Sequence, residues 1–185
     1  MANVDAPNGL KAVRHLTGGA IRTEEFKIAS GLSTAIFTGD CVKLLSTGYI
    51  DECDAGDRIL GVFAGCSYAN SSGEQVFSRQ WTASATTQGS VDVTAYIYSD
   101  PNIVYAVQSA GSADFADIGQ LADIVATAGD TNTGQSKHEI SGTTGTGTAG
   151  LRILGKYEEP NNAYGTNGVL EVQIYEHELT FATGV

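Results

Sequence analysis

Charge is scarce in this chain. Asp, Glu, Lys and Arg make up 17% of its 185 residues, where about 25% is usual for a soluble domain. Cations are scarcest: 10 Lys and Arg stand against 21 Asp and Glu, for a net charge of −11. Nucleic-acid binding depends on clustered cations that neutralise phosphates, and the densest stretch offers only Lys11, Arg14 and Arg22. The composition therefore argues against direct DNA or RNA binding and against docking on an anionic membrane. Proline occurs 3 times, which excludes collagen and proline-rich linkers. No apolar run approaches the ~18 residues of a membrane span. Met1–Asp5 lacks a basic region followed by an apolar stretch, so no signal peptide is read there and synthesis in the cytoplasm is expected. Cys41, Cys53 and Cys66 are odd in number, form no C-x-x-C pair and have no close histidines. Buried, reduced thiols are the expectation, with neither a disulfide framework nor a metal site.

Glycine is abundant, at 23 residues, and it punctuates short apolar runs. Glu24–Ala29, Ala35–Thr38, Cys41–Leu45, Tyr49-Ile50, Ile59–Ser67 and Gln75–Trp81 alternate with turns rich in Gly, Asp, Ser and Thr. Val91–Tyr98 alternates most clearly, with Val91, Val93, Ala95 and Ile97 on one face. Asp100-Pro101-Asn102 should turn the chain back into an antiparallel partner, Ile103–Gln108. Leu151–Glu158 and Val169–Leu179 read as closing strands, the latter with Leu170, Val172 and Ile174 facing one way. Asp114–Ala126 departs from the pattern, because Phe115, Ile118, Leu121, Ala122 and Val125 fall at helical offsets. Thr127–Gly150 reads as a long Gly/Thr loop with a brief strand at His138–Ser141. The expected fold is mainly β: a small antiparallel barrel or sandwich with one short helix and that loop. An extended N-terminal arm, residues 1–23, precedes a single β-rich domain, residues 24–185. The arm either lies across its own domain or reaches a neighbouring subunit.

Candidate chemistry is thin. Gly145–Gly150 spells G-x-G-x-x-G, but a strand follows it where the dinucleotide motif needs a helix. Asp51, Glu52, Asp54 and Asp57 lack the ligand spacing of a calcium loop and read as a solvated turn. His15, His138 and His177 are scattered, and Glu176-His177-Glu178 reads as a surface histidine between carboxylates. Catalytic residues, cofactor sites and metal ligands are therefore all expected to be absent, and no enzymatic activity is expected. Trp81 and Phe77, four apart in one expected strand, should share a face, more readily core than interface anchor.

The order Gly39-Asp40-Cys41-Val42, Gly48-Tyr49-Ile50, Ala55-Gly56-Asp57 and Ile59-Leu60-Gly61-Val62 resembles that of tailed-bacteriophage capsid decoration, or cement, proteins. Pro7–Gly19 looks like the N-terminal arm of head proteins from short-tailed and marine phages, and Asp117–Asp123 and Glu171–Leu179 are also similar. The resemblance implies a non-enzymatic virion protein, made in the host cytoplasm and carried on the outer capsid surface. It implies a homotrimer that ties major capsid protein subunits together and binds neither nucleic acid nor membrane. Asn3, Val4, Pro7, Leu10, Val13, Arg14 and His15 are the expected intersubunit or capsid contacts. Two rivals belong to other classes. One is a carbohydrate-binding β-sandwich or phage fibre module using Tyr96, Tyr98 and Tyr105 as a platform; the other is an enzyme with a dispersed site.

Overall fold

A computed structural model describes residues 3–145, 147 and 149–180. The chain is mainly β, built from several antiparallel sheets without a closed barrel, and its described residues contain no helix of seven or more residues. No helix among them is long and apolar enough to cross a membrane.

Two sheets dominate. The first orders β1 (Lys11–His15), β10 (Ile103–Gln108), β17 (Val169–Ile174), β15 (Leu151–Lys156) and β12 (Leu121–Ala122). The second orders β2 (Glu24–Ile28), β9 (Val93–Tyr98), β6 (Gly61–Ala69), β4 (Cys41–Leu44) and β5 (Ile50–Glu52), with β7 (Gln75–Ser78) also paired to β6. Three short ribbons complete the fold: β3 (Ile36–Phe37) with β8 (Gln80–Trp81), β11 (Ser112–Ala113) with β16 (Gly165–Thr166), and β13 (Ile124–Val125) with β14 (Glu139–Ile140).

The apolar residues divide into two cores. One lies between the large sheets, where Ile103, Tyr105, Leu151 and Val172 meet Cys41, Cys53, Ile59 and Val62. The other lies on the opposite side of the second sheet, where Ile28, Val42, Phe63 and Ile97 meet Ile36 and Trp81. β6 thus carries apolar side chains on both faces, which is why it reads as a near-continuous apolar run. A register shift between Phe63 and Gly65 inserts one residue into the alternation. It lets Phe63 and Cys66 enter the same core.

Four expectations change at this level. The helix over Asp114–Ala126 is absent. Phe115–Asp117 is one 3₁₀ turn, Gly119 takes φ +86, and Leu121–Ala122 and Ile124–Val125 pair as strands with β15 and β14. Phe115 and Ile118, placed inward by helical spacing, are 73% and 39% exposed; strand pairing outweighed a short helical pattern. The Val91–Tyr98 and Ile103–Gln108 runs do not form a hairpin. β9 pairs with β2 and β6, whereas β10 pairs with β1 and β17, so Asp100-Pro101-Asn102 crosses between sheets. Phe77 and Trp81 separate, because the strand breaks at Arg79. Phe77 faces solvent, while Trp81 is fully buried and donates its indole N–H to Leu32 O at 3.1 Å. His177 is buried, because the last strand ends at Ile174 and the chain turns inward to pair at Ile59.

Candidate functional site

Three titratable side chains meet where the second sheet faces the inter-sheet core. Gly39 takes φ +101 and swings the chain from β3 into β4. Asp40 closes that turn: its Oδ2 accepts the Phe37 N–H at 2.6 Å, and its backbone N–H donates to Phe37 O at 3.0 Å. Glu52 ends β5, directly opposite Val42. His138 arrives from the Gly/Thr loop, its backbone N–H held by the Ser136 hydroxyl at 2.9 Å. The His138 Nε2 then stands 2.9 Å from Glu52 Oε1 and 3.3 Å from Asp40 Oδ1, with Asp40 and His138 fully buried.

The protonation pattern follows from the ring's other side. Nδ1 accepts the Cys41 backbone N–H at 3.3 Å, so the ring's proton sits on Nε2 and points to Glu52, with Asp40 Oδ1 nearby but without a hydrogen bond of its own. Burial raises the Asp40 carboxyl to about 6, against the opposing pull of His138 and of hydrogen bonds from Ser136 and Phe37. Burial also pushes the Cys41 thiol far above its ordinary value, with the Asp40 charge adding to the effect, so Cys41 is no nucleophile.

The three ligand atoms lie within 4.8 Å of one another, a spacing compatible with a bound cation. The ring opposes that use. A metal on Nε2 requires the proton on Nδ1, where it would confront the Cys41 N–H. Both ring nitrogens are also engaged, which leaves no lone pair to act as a general base. The arrangement is a buried hydrogen-bond cluster built from separate loops.

The cluster supports a second feature. The Gly39-Asp40 turn and the Gln135–His138 segment form the seat of arm residues 8–10. Leu10 donates its N–H to Gly39 O at 2.9 Å, and Gln135 Nε2 donates to Asn8 O at 3.1 Å and to Thr38 O at 3.2 Å. Gly9, at φ +64, lies so close to Ser136 that a Cβ would come within 2.5 Å of the serine Cβ.

The expected contact residues are spread along this arm, which packs on its own domain. Asn3 donates to Ala163 O and Thr166 O at 2.9 and 2.8 Å and accepts the Ala163 N–H. Val4 is 77% exposed, Pro7 and Val13 are half-buried, and Leu10 enters the inter-sheet core. Arg14 pairs with Glu171 at 2.6 Å. The His15 Nδ1 accepts the Thr17 and Gly19 N–H groups while its Nε2 faces Asp100 Oδ2 at 3.0 Å. Between Asn3 and His15, Gln108 supplies another tie: its Oε1 accepts the Ala6 N–H at 3.0 Å, and its Nε2 donates to both Asp5 (3.1 Å) and Glu139 (3.0 Å).

The remaining sequence candidates resolve individually. Thr146 and Thr148 of the G-x-G-x-x-G match lie outside the described residues. Of the acidic turn, Asp57 pairs with Lys43 at 2.7 Å and caps the Asp54 N–H, whereas Glu52 leaves the turn for the cluster. The tyrosine platform does not form: Tyr105 is fully buried, its hydroxyl donating to Tyr98 O. The three cysteines are free and buried, as expected. Sequence reading missed the cluster because its members stand 12 and 86 residues apart and follow no short motif. The one local cue was an aspartate set inside the apolar run around Cys41. Compared with known proteins, the chain matches no family model, no curated protein and no solved structure.

Proposed function

We propose that this chain is a non-enzymatic virion structural protein that binds the outside of a phage head and stabilises contacts between major capsid subunits. The observation that carries this reading is a set of large apolar side chains held outward on fixed backbone. Phe77 projects from β7 at 76% exposure, and Phe115 projects from the 3₁₀ turn at 73%, where Asp114 and Asp117 cap the turn reciprocally. Exposed aromatics on rigid elements suit protein contacts, because they bury much area at little conformational cost. The −11 charge suits an exterior position away from packaged nucleic acid. The Gly-Asp and Ala-Gly-Asp segments that resemble decoration proteins fall in and around β4 to β6, the part of the second sheet that faces both cores.

Function on this reading is added contact area repeated over many copies, and a trimer would multiply each weak contact by avidity. Co-sedimentation with expanded heads tests it: binding should saturate at a regular copy number, and Phe77→Ser with Phe115→Ser should abolish it without unfolding the chain. Light scattering should give a trimer. A folded wild-type protein that fails to sediment with heads would overturn the proposal.

A further inference from the structure

Two carboxylate pairs fasten the N-terminal half of the arm, and each pair meets at one side-chain nitrogen. Asp5 and Glu139 share the Gln108 amide at 3.1 and 3.0 Å; Asp40 and Glu52 share the His138 Nε2 at 3.3 and 2.9 Å. The pairs are joined through consecutive residues, His138 and Glu139. Gln108 also takes the Ala6 N–H, and the turn carrying Asp40 takes the Leu10 N–H. We propose that these pairs are proton-operated clasps, closing arm residues 5–10 onto the domain when each takes up a proton and loosening them when both are fully ionised.

The physical basis is like charge gathered in a partly dry site. The single His138 Nε2–H faces two carboxylates, whereas the two N–H of the Gln108 amide serve Asp5 and Glu139 one each, yet full ionisation still brings both negative charges to one neutral group. Asp40 Oδ1 indeed has no well-aligned hydrogen bond although it is fully buried. One added proton per pair removes one of the two facing charges. Burial raises both Asp40 and Glu139, with Asp5 adding to the rise at Glu139. An acid whose folded pKa exceeds its unfolded value binds its proton more tightly when folded, so the closed arm gains as pH falls. The other groups facing the clasps are Cys41 beside Asp40, and Lys11 and Glu159 around the cavity beside Gln108.

Amide hydrogen exchange of the full chain, corrected for intrinsic rates, tests the clasps at pH 5 and pH 7.5. Protection at Ala6 and Leu10 should fall about tenfold at the higher pH, with Val172 and Ile97 unchanged. Asp40→Asn should hold Leu10, and Glu139→Gln should hold Ala6, at acid-level protection at both pH values. Equal protection of wild-type Ala6 and Leu10 at both pH values overturns the proposal, as does pH dependence that survives in both folded variants. Should a variant not fold, ¹³C carboxyl titration of wild-type Asp40 and Glu139 gives the answer. Carboxyl midpoints that coincide with those of the Leu10 and Ala6 amide shifts support the clasps, and midpoints that differ overturn them. Arm protection restored at pH 7.5 by millimolar Ca²⁺ or Zn²⁺ would make these cation sites and also overturn the proposal.

Discussion

The two cores share a sheet and differ in kind. The core around Trp81 is bounded by Ile28, Ile36, Val42, Phe63 and Ile97, and its largest side chain meets Tyr68 edge-on at a 5.5 Å centroid distance. Its stability comes from apolar area and close packing, which do not titrate. The inter-sheet core is apolar at its centre but bordered by Asp40, Glu52 and His138, and Leu10 of the arm helps to close it. One core is a fixed foundation. The other is bordered by groups whose charge depends on solution conditions, and the arm rests on those groups.

Trp81→Ala is the largest test of that contrast. It removes the central side chain of the dry core and should cost about 3–5 kcal/mol, by an amount that stays constant between pH 5 and 8 in denaturant titrations. Asp40→Asn should act with the opposite sign. The raised carboxyl costs stability when ionised, so wild type should gain stability as pH falls from about 7 toward 4. The variant should lack that slope and be more stable than wild type at pH 7.5, by up to roughly 3 kcal/mol; thermal melts across this range give the sign. Gly9→Ala combines a positive φ with a collision at Ser136. It should cost roughly 1–3 kcal/mol and speed tryptic cleavage after Lys11 and Arg14 while leaving Trp81 fluorescence unchanged. Arg14→Ala should do least. Its pair with Glu171 is partly exposed, so the loss should stay under about 1 kcal/mol and vanish in high salt.

Features set by neighbouring residues were legible in the sequence. The alternation placed Val93, Ala95 and Ile97, and Leu170, Val172 and Ile174, on their buried faces, but Val91, expected beside the first set, precedes β9 and is 66% exposed. Buried thiols and short strands between glycine turns followed from composition and spacing. Which strand pairs with which was not local information. Asp100-Pro101-Asn102 has the chemistry of a hairpin turn, yet Ile103–Gln108 is buried on both faces and belongs beside β1 and β17. The helical spacing of Phe115 and Ile118 likewise lost to strand pairing. The Asp40–Glu52–His138 cluster was invisible for the same reason: its parts come from a turn, a strand end and a distant loop. Burial of His177 depended on where the last strand stopped, which alternation alone does not fix.

The position of β1 also sets an order in time. Lys11–His15 is made before its pairing partner Ile103–Gln108, roughly ninety residues later, and that strand in turn pairs with Val169–Ile174. Leu10 likewise has no closed core to enter until the last strands are made. β1 therefore pairs only across a long loop, at the closure cost that slows folding through distant contacts. Until Ile103–Gln108 has been made, β1 has no strand to pair with.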